Sequence, residues 1–487
     1  MTPVPSHDTS RAGGKDAVST GALAAAPERI IHLPANIAFA IPLEDQRALH
    51  LAAARALFER LVDAIPIVKR LAAEQGVTRI GTLADLGLLL VPHSASKSYP
   101  LSFIEGGRFD RLTQWLQGFT AHDLGGVIVR GCETIDDWVD LLDRETPLRL
   151  VHSTGTTGKL SFLPRDEAAS RQYAPGYERQ FDVFGGEAPR LATPPRETPL
   201  LYVQHRRGAY AQQRLLSVLE RDFFADPAMI VAANPDRLSA DGLSLGGRLQ
   251  AAAAKGELGG VELGHKHARL RDMFLAQRET AETHLQDFLD VLDARFRGAT
   301  VSVMGHLPQL YRVSVAALAR GIEAIFAPGS FAAGGGGLKG QQLPGDWREV
   351  VHRFLGPVRP TIGYGMTEMV GSFRPCPDGH FHLPPWVIPF IFDPVTGEQA
   401  PRSGVRKGRF GAFDLNAGNY WGGFISGDEV TLAWGDDAPC GCGRNGPYIE
   451  NEIRRYTASE GGDDKITCAG APQAYDRALD FIINGGY

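Results

Sequence analysis

Short apolar segments alternate with helical segments through the middle of the chain, and this alternation constrains the fold more than any other feature. The predicted strands are Leu148–Val151, Leu200–Val203, Met229–Ala232, Thr300–Met304 and Ile322–Phe326. The predicted helices are Ala211–Phe224, Thr283–Phe296, Leu307–Ala319 and Asp346–Leu355. Strands that are separated by helices pair in parallel, because each helix carries the chain back to the same edge of the sheet. We therefore predict an α/β fold with mostly parallel sheets flanked by helices.

The sequence changes character on both sides of this α/β region. Residues 1–28 are small, polar and rich in Pro, Gly, Ser and Ala, so we expect them to be disordered. Apolar spacing between Asp45 and Gln75 predicts one or two amphipathic helices. After about Phe381, Pro and Gly interrupt short apolar segments, which favours a β-rich subdomain. The predicted division is a disordered segment over 1–28, an α/β core over 29–380, a β-rich subdomain over 381–453 and a C-terminal segment over 454–487.

Composition excludes several classes of protein. The 487 residues are 43% hydrophobic and 22% charged, as in a globular protein that buries a large core. No segment approaches the ~18 consecutive apolar residues of a membrane span. The net charge of −6 gives no electrostatic footprint for nucleic acid. Five cysteines are too few for a disulfide scaffold and fit a reducing compartment, so we expect a cytoplasmic protein.

The segment Ser153–Lys159, with the sequence STGTTGK, follows a predicted strand. Glycines let the backbone turn tightly, so that successive N–H groups can converge on an anion, while hydroxyls and a lysine add donors and charge. A Walker P-loop has four residues between its glycines and a Ser or Thr after the lysine. Here two residues separate Gly155 from Gly158, and Leu160 follows the lysine, so this is not a Walker loop. A flexible Ser/Thr/Gly linker is the alternative.

The STGTTGK loop resembles the phosphate-binding signature of the adenylate-forming superfamily, which includes acyl- and aryl-CoA ligases, luciferases and peptide-synthetase adenylation domains. Two further segments follow in the order found in that family. IGYGMTE at 362–368 resembles its YGxTE motif, and ISGD at 425–428 resembles its ribose-binding motif. The resemblance covers most of the chain from about residue 85. It implies the superfamily's fold and the ATP- and Mg²⁺-dependent conversion of a carboxylic acid to an adenylate.

The resemblance also implies a role for each matched residue. Thr367 would hydrogen-bond the α-phosphate and Glu368 would hold Mg²⁺, although a lone glutamate in a loop is more often simply solvated. The residues implied to bind phosphates are Ser153, Thr154, Gly155, Thr156, Thr157 and Gly158, with Lys159 as a catalytic residue. The residues implied to contact the nucleoside are Tyr364, Gly365, Asp428 and Arg455, for which Arg454 is the alternative. Gly335 and Gly336 would lie along the adenine, unless the glycine run is only a flexible connector.

Within the superfamily the chain is similar to the phenylacetate–CoA ligase branch and to the acyl-protein synthetases that accompany bacterial luciferase. The segments that carry this similarity are GHFHLPPWV at 379–387, Asp393-Pro394 and CGCGR at 440–444. Complete members of the superfamily have a mobile C-terminal domain with a catalytic lysine after a hinge. We expect residues 454–487 to be a vestigial hinge and a C-terminal helix, with that domain truncated. CoA is therefore uncertain as the acyl acceptor.

Cysteines and histidines cluster as C-x₃-H-x-H and C-x-C, a combination of thiolates and imidazoles that suits tetrahedral zinc. Some relatives in the phenylacetate branch have a comparable site. The candidate zinc ligands are Cys376, His382, Cys440 and Cys442, with His382 preferred to His380. The alternative is a set of reduced cysteines without a metal.

Three more residues are weaker candidates. Cys468 resembles the acyl-accepting cysteine of acyl-protein synthetases, although a cysteine among small and apolar residues is more often an inert packing residue. His205 and His306 are candidates for the site that holds the carboxylate.

Taken together, the motifs predict an ATP-dependent, AMP-forming ligase that activates a small carboxylic acid and passes the acyl group to an amine, a hydroxyl, a thiol or a protein. One alternative is an acyl- or aryl-CoA ligase of the phenylacetate type. A second is a nucleotide-binding subunit without catalysis. The expected partners are the acid, ATP and an acyl-accepting protein or small nucleophile, with no nucleic acid and no membrane span.

Overall fold

The computed structural model describes residues 20–153, 159–256, 267–335, 343–456 and 460. It confirms the predicted α/β fold, with a parallel sheet flanked by helices and a separate antiparallel, β-rich region. The helices are α1 Thr20–Ala25, α2 Ala35–Ala38, α3 Leu43–Leu61, α4 Pro66–Glu74, α5 Leu83–Gly87, α6 Ser102–Glu105, α7 Phe109–Gln117, α8 Ile135–Glu145, α9 Glu167–Arg171, α10 Tyr173–Glu178, α11 Ala211–Val218, α12 Ala240–Lys255, α13 His267–Phe296, α14 Leu307–Ala319 and α15 Trp347–Leu355. The strands are β1 Val91–Pro92, β2 Val151–Ser153, β3 Ser161–Leu163, β4 Leu200–Arg207, β5 Ile230–Arg237, β6 Ser302–His306, β7 Phe331–Gly335, β8 Pro360–Ile362, β9 Phe381–His382, β10 Val387–Phe392, β11 Val405–Asp414, β12 Gly423–Ala433, β13 Tyr448–Ile449 and β14 Arg454–Arg455.

The parallel sheet has the strand order β5-β4-β6-β7-β8, and every neighbouring pair in it is parallel. Helices cover both faces because successive side chains of a strand point to opposite sides. On β4, Leu200 and Tyr202 belong to one hydrophobic core, while Leu201 and Val203 belong to another with α13, α14 and α15. No helix in the described ranges is long and apolar enough to cross a membrane.

The predicted strand Ile322–Phe326 is wrong. Ile322, Ile325 and Phe326 are buried in the core, which explains the apolar pattern, but the segment has no regular structure. Ala324 has a φ of 47°, in the left-handed region that a strand cannot use. Its backbone N–H bonds instead to the carbonyl of Arg353 at the end of α15. The fourth strand of the sheet is β7, which includes the first two glycines of the glycine run.

Other predicted elements exist with different bounds. The strand predicted at Leu148–Val151 begins only at Val151, and it pairs in an antiparallel hairpin with β3 rather than joining the parallel sheet. The helix predicted at Thr283–Phe296 is the second half of α13. The helix predicted at Ala211–Phe224 ends at Val218 and continues as a π-helical turn.

The N-terminal segment that we expected to be disordered contains α1. Leu23 and Ala24 in this helix are buried, and the helix packs against α3. Residues 1–19 lie outside the described residues. The difference arises because a few small apolar side chains in a polar, alanine-rich sequence suffice to bury one face of a short helix against a longer one.

The β-rich region is an antiparallel sheet with the order β10-β11-β12-β13-β9. Two short strands from outside the predicted range 381–453 also pair with β12. One is β1, which is parallel to β12, and the other is β14, which places Arg455 opposite Asp428. The central strand of this sheet therefore collects segments from three distant parts of the chain. The domain boundaries themselves stay a prediction.

Stability is expected to fall in acid because His50 is buried in its neutral form. Its Nε2–H donates to the Pro385 carbonyl at 2.8 Å. Burial lowers the pKa of His50 to about 4, the Pro385 hydrogen bond opposes this shift, and Arg402 adds to it. Below its ordinary pKa of 6.5, the unfolded chain binds a proton that the native His50 does not bind until about pH 4. The free energy of unfolding therefore decreases as the pH falls through this window, by up to ~1.4 kcal/mol per pH unit for this one group.

His50→Gln is expected to make the slope of unfolding free energy against pH shallower between pH 6.5 and 4, as measured by urea denaturation at several pH values. The matched control is His32→Gln, since His32 is exposed and should leave the slope unchanged. Equal slopes for the wild type and His50→Gln would contradict the assignment.

Candidate functional site

A cavity that opens to solvent lies beside the carboxyl ends of the parallel strands, and its volume, with the open mouth included, is about 950 Å³. Ligand crevices in open α/β sheets form at this edge. Its apolar and aromatic lining comes from Tyr173, Tyr177, Tyr210, Leu215, Met304, Ala333, Met366 and Met369, and its polar lining from Gln180, Gln212, His306, Thr367, Ser372 and Arg374. An apolar cavity with a few convergent polar groups is typical of a small-molecule site.

Two glycines, Gly334 of β7 and Gly365 after β8, line this cavity with backbone and no side chain. A Cβ atom at Gly334 would lie 2.6 Å from Leu307 Cδ2, so no side chain fits there. Gly365, a predicted nucleotide-binding residue, lies on the cavity wall next to Thr367. Gly335 ends β7 opposite His306 on β6, whereas Gly336 lies outside the described residues.

The loop that carries Thr367 and Glu368 is held from two sides by two buried charged residues. Arg165, which is fully buried, donates from Nη2 to the Thr367 carbonyl at 3.0 Å. Asp414, also fully buried, accepts from the Val370 backbone N–H at 2.8 Å. Burial raises the pKa of Asp414, and the nearby positive charge of Arg165 opposes that shift. Neither residue was predicted, because each is a single charged residue without a motif around it.

Aromatic rings enclose the Arg165 guanidinium. It lies over the rings of Tyr173 and Tyr420, with 5.2 and 5.6 Å to the ring centroids. Such cation–π contacts partly replace the hydration that the charge loses on burial. Arg165 Nε and Nη1 have no hydrogen-bond partner among the described residues, so the charge that positions Thr367 is offset by the rings, by one carbonyl and by the field of Asp414.

The candidate phosphate-binding loop is connected to this same region. Its ends are fixed by the β2–β3 hairpin, in which Ser153 pairs with Ser161. The Lys159 ammonium lies 5.8 Å from the centroid of the Tyr99 ring. Thr154, Gly155, Thr156, Thr157 and Gly158 lie outside the described residues.

Glu368 lies next to the β2–β3 hairpin. It lines a second cavity together with Phe162, Leu163 and Pro164, which follow the candidate phosphate-binding loop. In the part of the chain that the structure describes, its carboxylate forms no hydrogen bond or ion pair, so its oxygens remain available to a cation. A carboxylate is the ligand type that Mg²⁺ prefers.

Three of the predicted nucleoside-binding residues contact one another. Tyr364 Oη donates to Asp428 Oδ2 at 3.1 Å, and Arg455 Nη1 donates to Asp428 Oδ1 at 3.1 Å. Burial and the neighbouring carboxylate raise the pKa of Tyr364 well above its ordinary value, so the phenol stays protonated and donates. Arg454 binds Glu429 and Glu460 instead, which leaves Arg455 as the arginine beside Asp428.

A β-bulge aims Asp428 toward this group. Along β11 and β12 the pairing passes from Gly411–Ile425 to Arg409–Glu429, so three residues of β12 face one residue of β11. The extra residues are those of the S-G-D segment at 426–428. Bulges bend a strand locally and redirect its side chains. The predicted ribose-binding motif is therefore a distinct backbone feature of the sheet.

The four predicted zinc ligands lie together. One donor atom from each of Cys376, His382, Cys440 and Cys442 lies within 4.8 Å of the others. Cys442 Sγ is 3.2 Å from His382 Nε2, and Cys376 Sγ is 3.7 Å from Cys440 Sγ. Three thiols and an imidazole form a donor set that fits tetrahedral zinc. His380 also approaches, with Nδ1 3.3 Å from Cys440 Sγ.

Of the three weaker candidates, one histidine lines the cavity. His306 is buried in the cavity wall, where burial lowers its pKa to about 4 and keeps it neutral. His205 lies on β4, and burial lowers its pKa to about 4 as well. Cys468 lies outside the described residues.

No family model and no curated protein matches the chain. Among solved structures, the chain is similar to an open conformation of 2-hydroxyisobutyryl-CoA ligase in complex with 2-HIB-AMP and CoA. The identity is 13% and the TM-score 0.48, and the match covers 85% of this chain and 76% of the ligase.

Two further solved structures match over a smaller share. Apo MatB from Rhodopseudomonas palustris is 13% identical with a TM-score of 0.32, covering 62% of this chain and 46% of that one. A luciferase-like enzyme from the mealworm Zophobas morio is 12% identical with a TM-score of 0.32, covering 63% and 56%. The chain thus spans about half the length of these two proteins.

Arg165→Met is expected to lower the free energy of unfolding by about 3–5 kcal/mol, because it leaves Asp414 buried without its counter-charge. The double variant Arg165→Met/Asp414→Asn should lose less than the sum of the two single variants, since neither charge is then left unpaired. Urea denaturation of the wild type, the two single variants and the double variant gives the four free energies of this double-mutant cycle. Arg353→Met is the control, since that arginine forms an exposed pair with Glu323, and its stability should change little. Additive losses in the cycle would contradict a coupled pair.

Proposed function

We propose that the protein is an ATP-dependent, AMP-forming ligase that activates a small carboxylic acid as an acyl- or aryl-adenylate and then passes on the acyl group. One observation carries the proposal: residues 364–368 adjoin both the candidate ribose-binding residue Asp428 and the hairpin that carries the candidate phosphate-binding loop. Tyr364 binds Asp428, the Thr367 carbonyl accepts from Arg165, and Glu368 shares a cavity with the strand that follows the STGTTGK loop. A site that holds an adenosine, a phosphate chain and an acid at once needs this convergence.

The chemistry assigns a task to each element. A carboxylate oxygen of the acid forms a bond to the α-phosphorus of ATP, and the bond from that phosphorus to the pyrophosphate oxygen breaks. Both reactants are anions, so the protein must align them and offset their repulsion. In this proposal Lys159 and the loop hold the leaving phosphates, and the Thr367 hydroxyl hydrogen-bonds the α-phosphate. Glu368 would hold Mg²⁺, which neutralises charge on the phosphates.

The nucleoside and the acid are assigned to opposite sides of residues 364–368. The Tyr364 ring would pack against adenine, and Asp428 would accept hydrogen bonds from the ribose hydroxyls beside Arg455. The acid would lie in the cavity between Tyr177, Met304 and Met366, with its carboxylate next to Thr367. The mostly apolar wall suits the carbon skeleton of an acid, and it excludes water from the reacting groups.

The acceptor of the acyl group stays open between an amine, a hydroxyl, a thiol and a protein. Net synthesis of an acyl- or aryl-CoA is the alternative activity, and nucleotide binding without catalysis is the second. Carboxylate-dependent exchange of labelled pyrophosphate into ATP, across a panel of acids, separates an enzyme from a binding subunit. Product analysis with CoA, amines and candidate proteins then identifies the acceptor.

Glu368→Ala is expected to reduce pyrophosphate exchange by at least about 100-fold, because it removes the metal-binding carboxylate beside the phosphates. Lys159→Ala should reduce it less, by about 10-fold, since backbone donors of the loop remain. Both are measured as initial exchange rates with saturating ATP and Mg²⁺.

The matched control for Glu368→Ala is Glu59→Ala, an exposed glutamate of α3. It should exchange at the wild-type rate. Wild-type exchange by Glu368→Ala would reject the site assignment. Intact ATP binding by the wild type, with no exchange for any acid, would favour the binding subunit.

We also propose that Cys376, His382, Cys440 and Cys442 hold a structural zinc ion. The donor set and the mutual distances support this proposal. The four ligands come from the segment before β9, from β9 itself and from the loop between β12 and β13. Zinc would therefore tie this loop to the edge of the antiparallel sheet, where β9 pairs with β13.

Cys440→Ala is expected to reduce bound zinc from about one ion per chain to a small fraction, because three remaining ligands bind zinc far more weakly than four. Metal content is measured by atomic emission after dialysis. The control is Cys132→Ala, since Cys132 is a free cysteine outside the cluster. Zinc content that is equal in the two variants would remove the proposal.

A further inference from the structure

A positively charged side chain lies in the wall of the candidate acid cavity, and no carboxylate of the described residues pairs with it. Arg374 donates from Nη1 to the Thr361 carbonyl at 2.9 Å and from Nη2 to Gln180 Oε1 at 2.6 Å. Its guanidinium lies over the ring of Phe331, 5.1 Å from the centroid. Its Nε–H is buried and has no hydrogen-bond partner in the ranges that the structure describes.

The arginines near Arg374 differ from it because each has a carboxylate nearby. Arg374 also lines an adjoining cavity, to which Arg179, Arg190 and Arg444 contribute. Arg179 pairs with Asp182 at 2.8 Å, and Arg444 pairs with Glu187 at 2.6 Å. Arg190 lies 3.9 Å from the same Glu187. Of these four arginines, Arg374 is the one for which the described residues supply no carboxylate.

An arginine charge that is removed from water without a counter-ion is costly, and such charges are normally paired. Burial lowers the pKa of Arg374 to about 9, and the positive charge of Arg190 lowers it further, whereas Tyr177 opposes the shift. The native structure thus keeps a destabilised cation in the wall of the cavity that Thr367 also lines. A ligand with an anionic group would remove this cost.

The groups around Arg374 suit a carboxylate. The Gln180 amide accepts from Arg374 through Oε1, so its NH₂ group remains as a second donor. Gln180 and Ser372 line both cavities beside the guanidinium. A guanidinium, an amide NH₂ group and a hydroxyl are the types of donor with which proteins bind carboxylates.

We propose that Arg374 binds a second carboxylate of the acid substrate, so that the enzyme activates a dicarboxylic acid at one end while Arg374 holds the other end. This inference rests on the proposed function, because it assumes that the acid occupies the cavity beside Thr367. The apolar residues between the two ends, such as Met304 and Tyr177, would then contact the connecting carbons. Selectivity follows from charge: a monocarboxylic acid in this cavity leaves Arg374 unpaired.

The test compares matched acids in pyrophosphate exchange with the full chain. Saturated dicarboxylic acids with three to eight carbons are each paired with the monocarboxylic acid of the same carbon number. The expected result is a kcat/KM for the best dicarboxylic acid about 100-fold above that of its partner, as an ionic hydrogen bond in a buried site provides. Equal rates or a preference for the monocarboxylic acids would overturn the inference while leaving the proposed function intact.

Variants of Arg374 give a second, independent result. Arg374→Met should lower kcat/KM for the dicarboxylic acid by about 100-fold, mainly by raising KM. For the monocarboxylic acid, kcat/KM should stay the same or increase. Arg374→Lys should restore part of the loss, because it returns the charge without the fork of donors. Arg353→Met on the exposed side of α15 is the control. A loss by Arg374→Met that is equal for both kinds of acid would indicate a structural role and overturn the inference.

Binding without turnover distinguishes the two proposals. The wild type should show a rise in Tm with the preferred dicarboxylic acid, and Arg374→Met should show none. This rise without any exchange would retain the anion site but reject the ligase. Exchange with monocarboxylic acids and no rise with any dicarboxylic acid would retain the ligase and reject the anion site.

Discussion

The candidate site depends on one buried arrangement, in which Arg165 and Asp414 hold the two ends of a short loop. Arg165 binds the Thr367 carbonyl and Asp414 binds the Val370 N–H, so the residues between them have a fixed backbone. Arg165 follows the β2–β3 hairpin and Asp414 ends β11, so the loop is fixed simultaneously to the hairpin and to the antiparallel sheet. The parallel sheet supplies the third attachment through β8. The three parts of the molecule therefore meet at Thr367 and Glu368.

The protein uses buried arginines in two ways. Arg165 is enclosed by the rings of Tyr173 and Tyr420 and lies in the field of Asp414, which offset its charge, while its Nε and Nη1 have no hydrogen-bond partner among the described residues. Arg374 has a carbonyl and an amide as partners but no carboxylate in the described residues, so its charge is compensated only in part. A compensated charge stabilises a structure that is already formed, whereas an uncompensated one favours whatever anion can reach it. Arg165 thus positions the Thr367 loop, whereas Arg374 is the arginine that we propose to recognise a ligand.

Much of this arrangement was predictable because spacing and chemistry coincide in the sequence. The alternation of apolar strands and helices predicted the parallel sheet, and the pattern of cysteines and histidines predicted four side chains that do lie together. The strand at Ile322–Phe326 failed because burial alone produces the same apolar pattern in an irregular segment. The true strand β7 was missed because alanine and glycine disfavour strands, and here the neighbouring strands β6 and β8 impose the conformation. Arg165, Asp414 and Arg374 could not be found from sequence, since their importance arises from residues that are distant along the chain.

The bulge in β12 has a consequence for how the nucleoside side of the site forms. Its additional residues, Ser426 to Asp428, fit opposite Phe410 only, so the sheet has a single register at this point. Asp428 is then oriented by the pairing of the sheet, and its oxygens are occupied by Tyr364 and Arg455 before any ligand arrives. Under the proposed function, a ribose that docks here would exchange one set of hydrogen bonds for another, and the cost of ordering these strands would already have been met during folding.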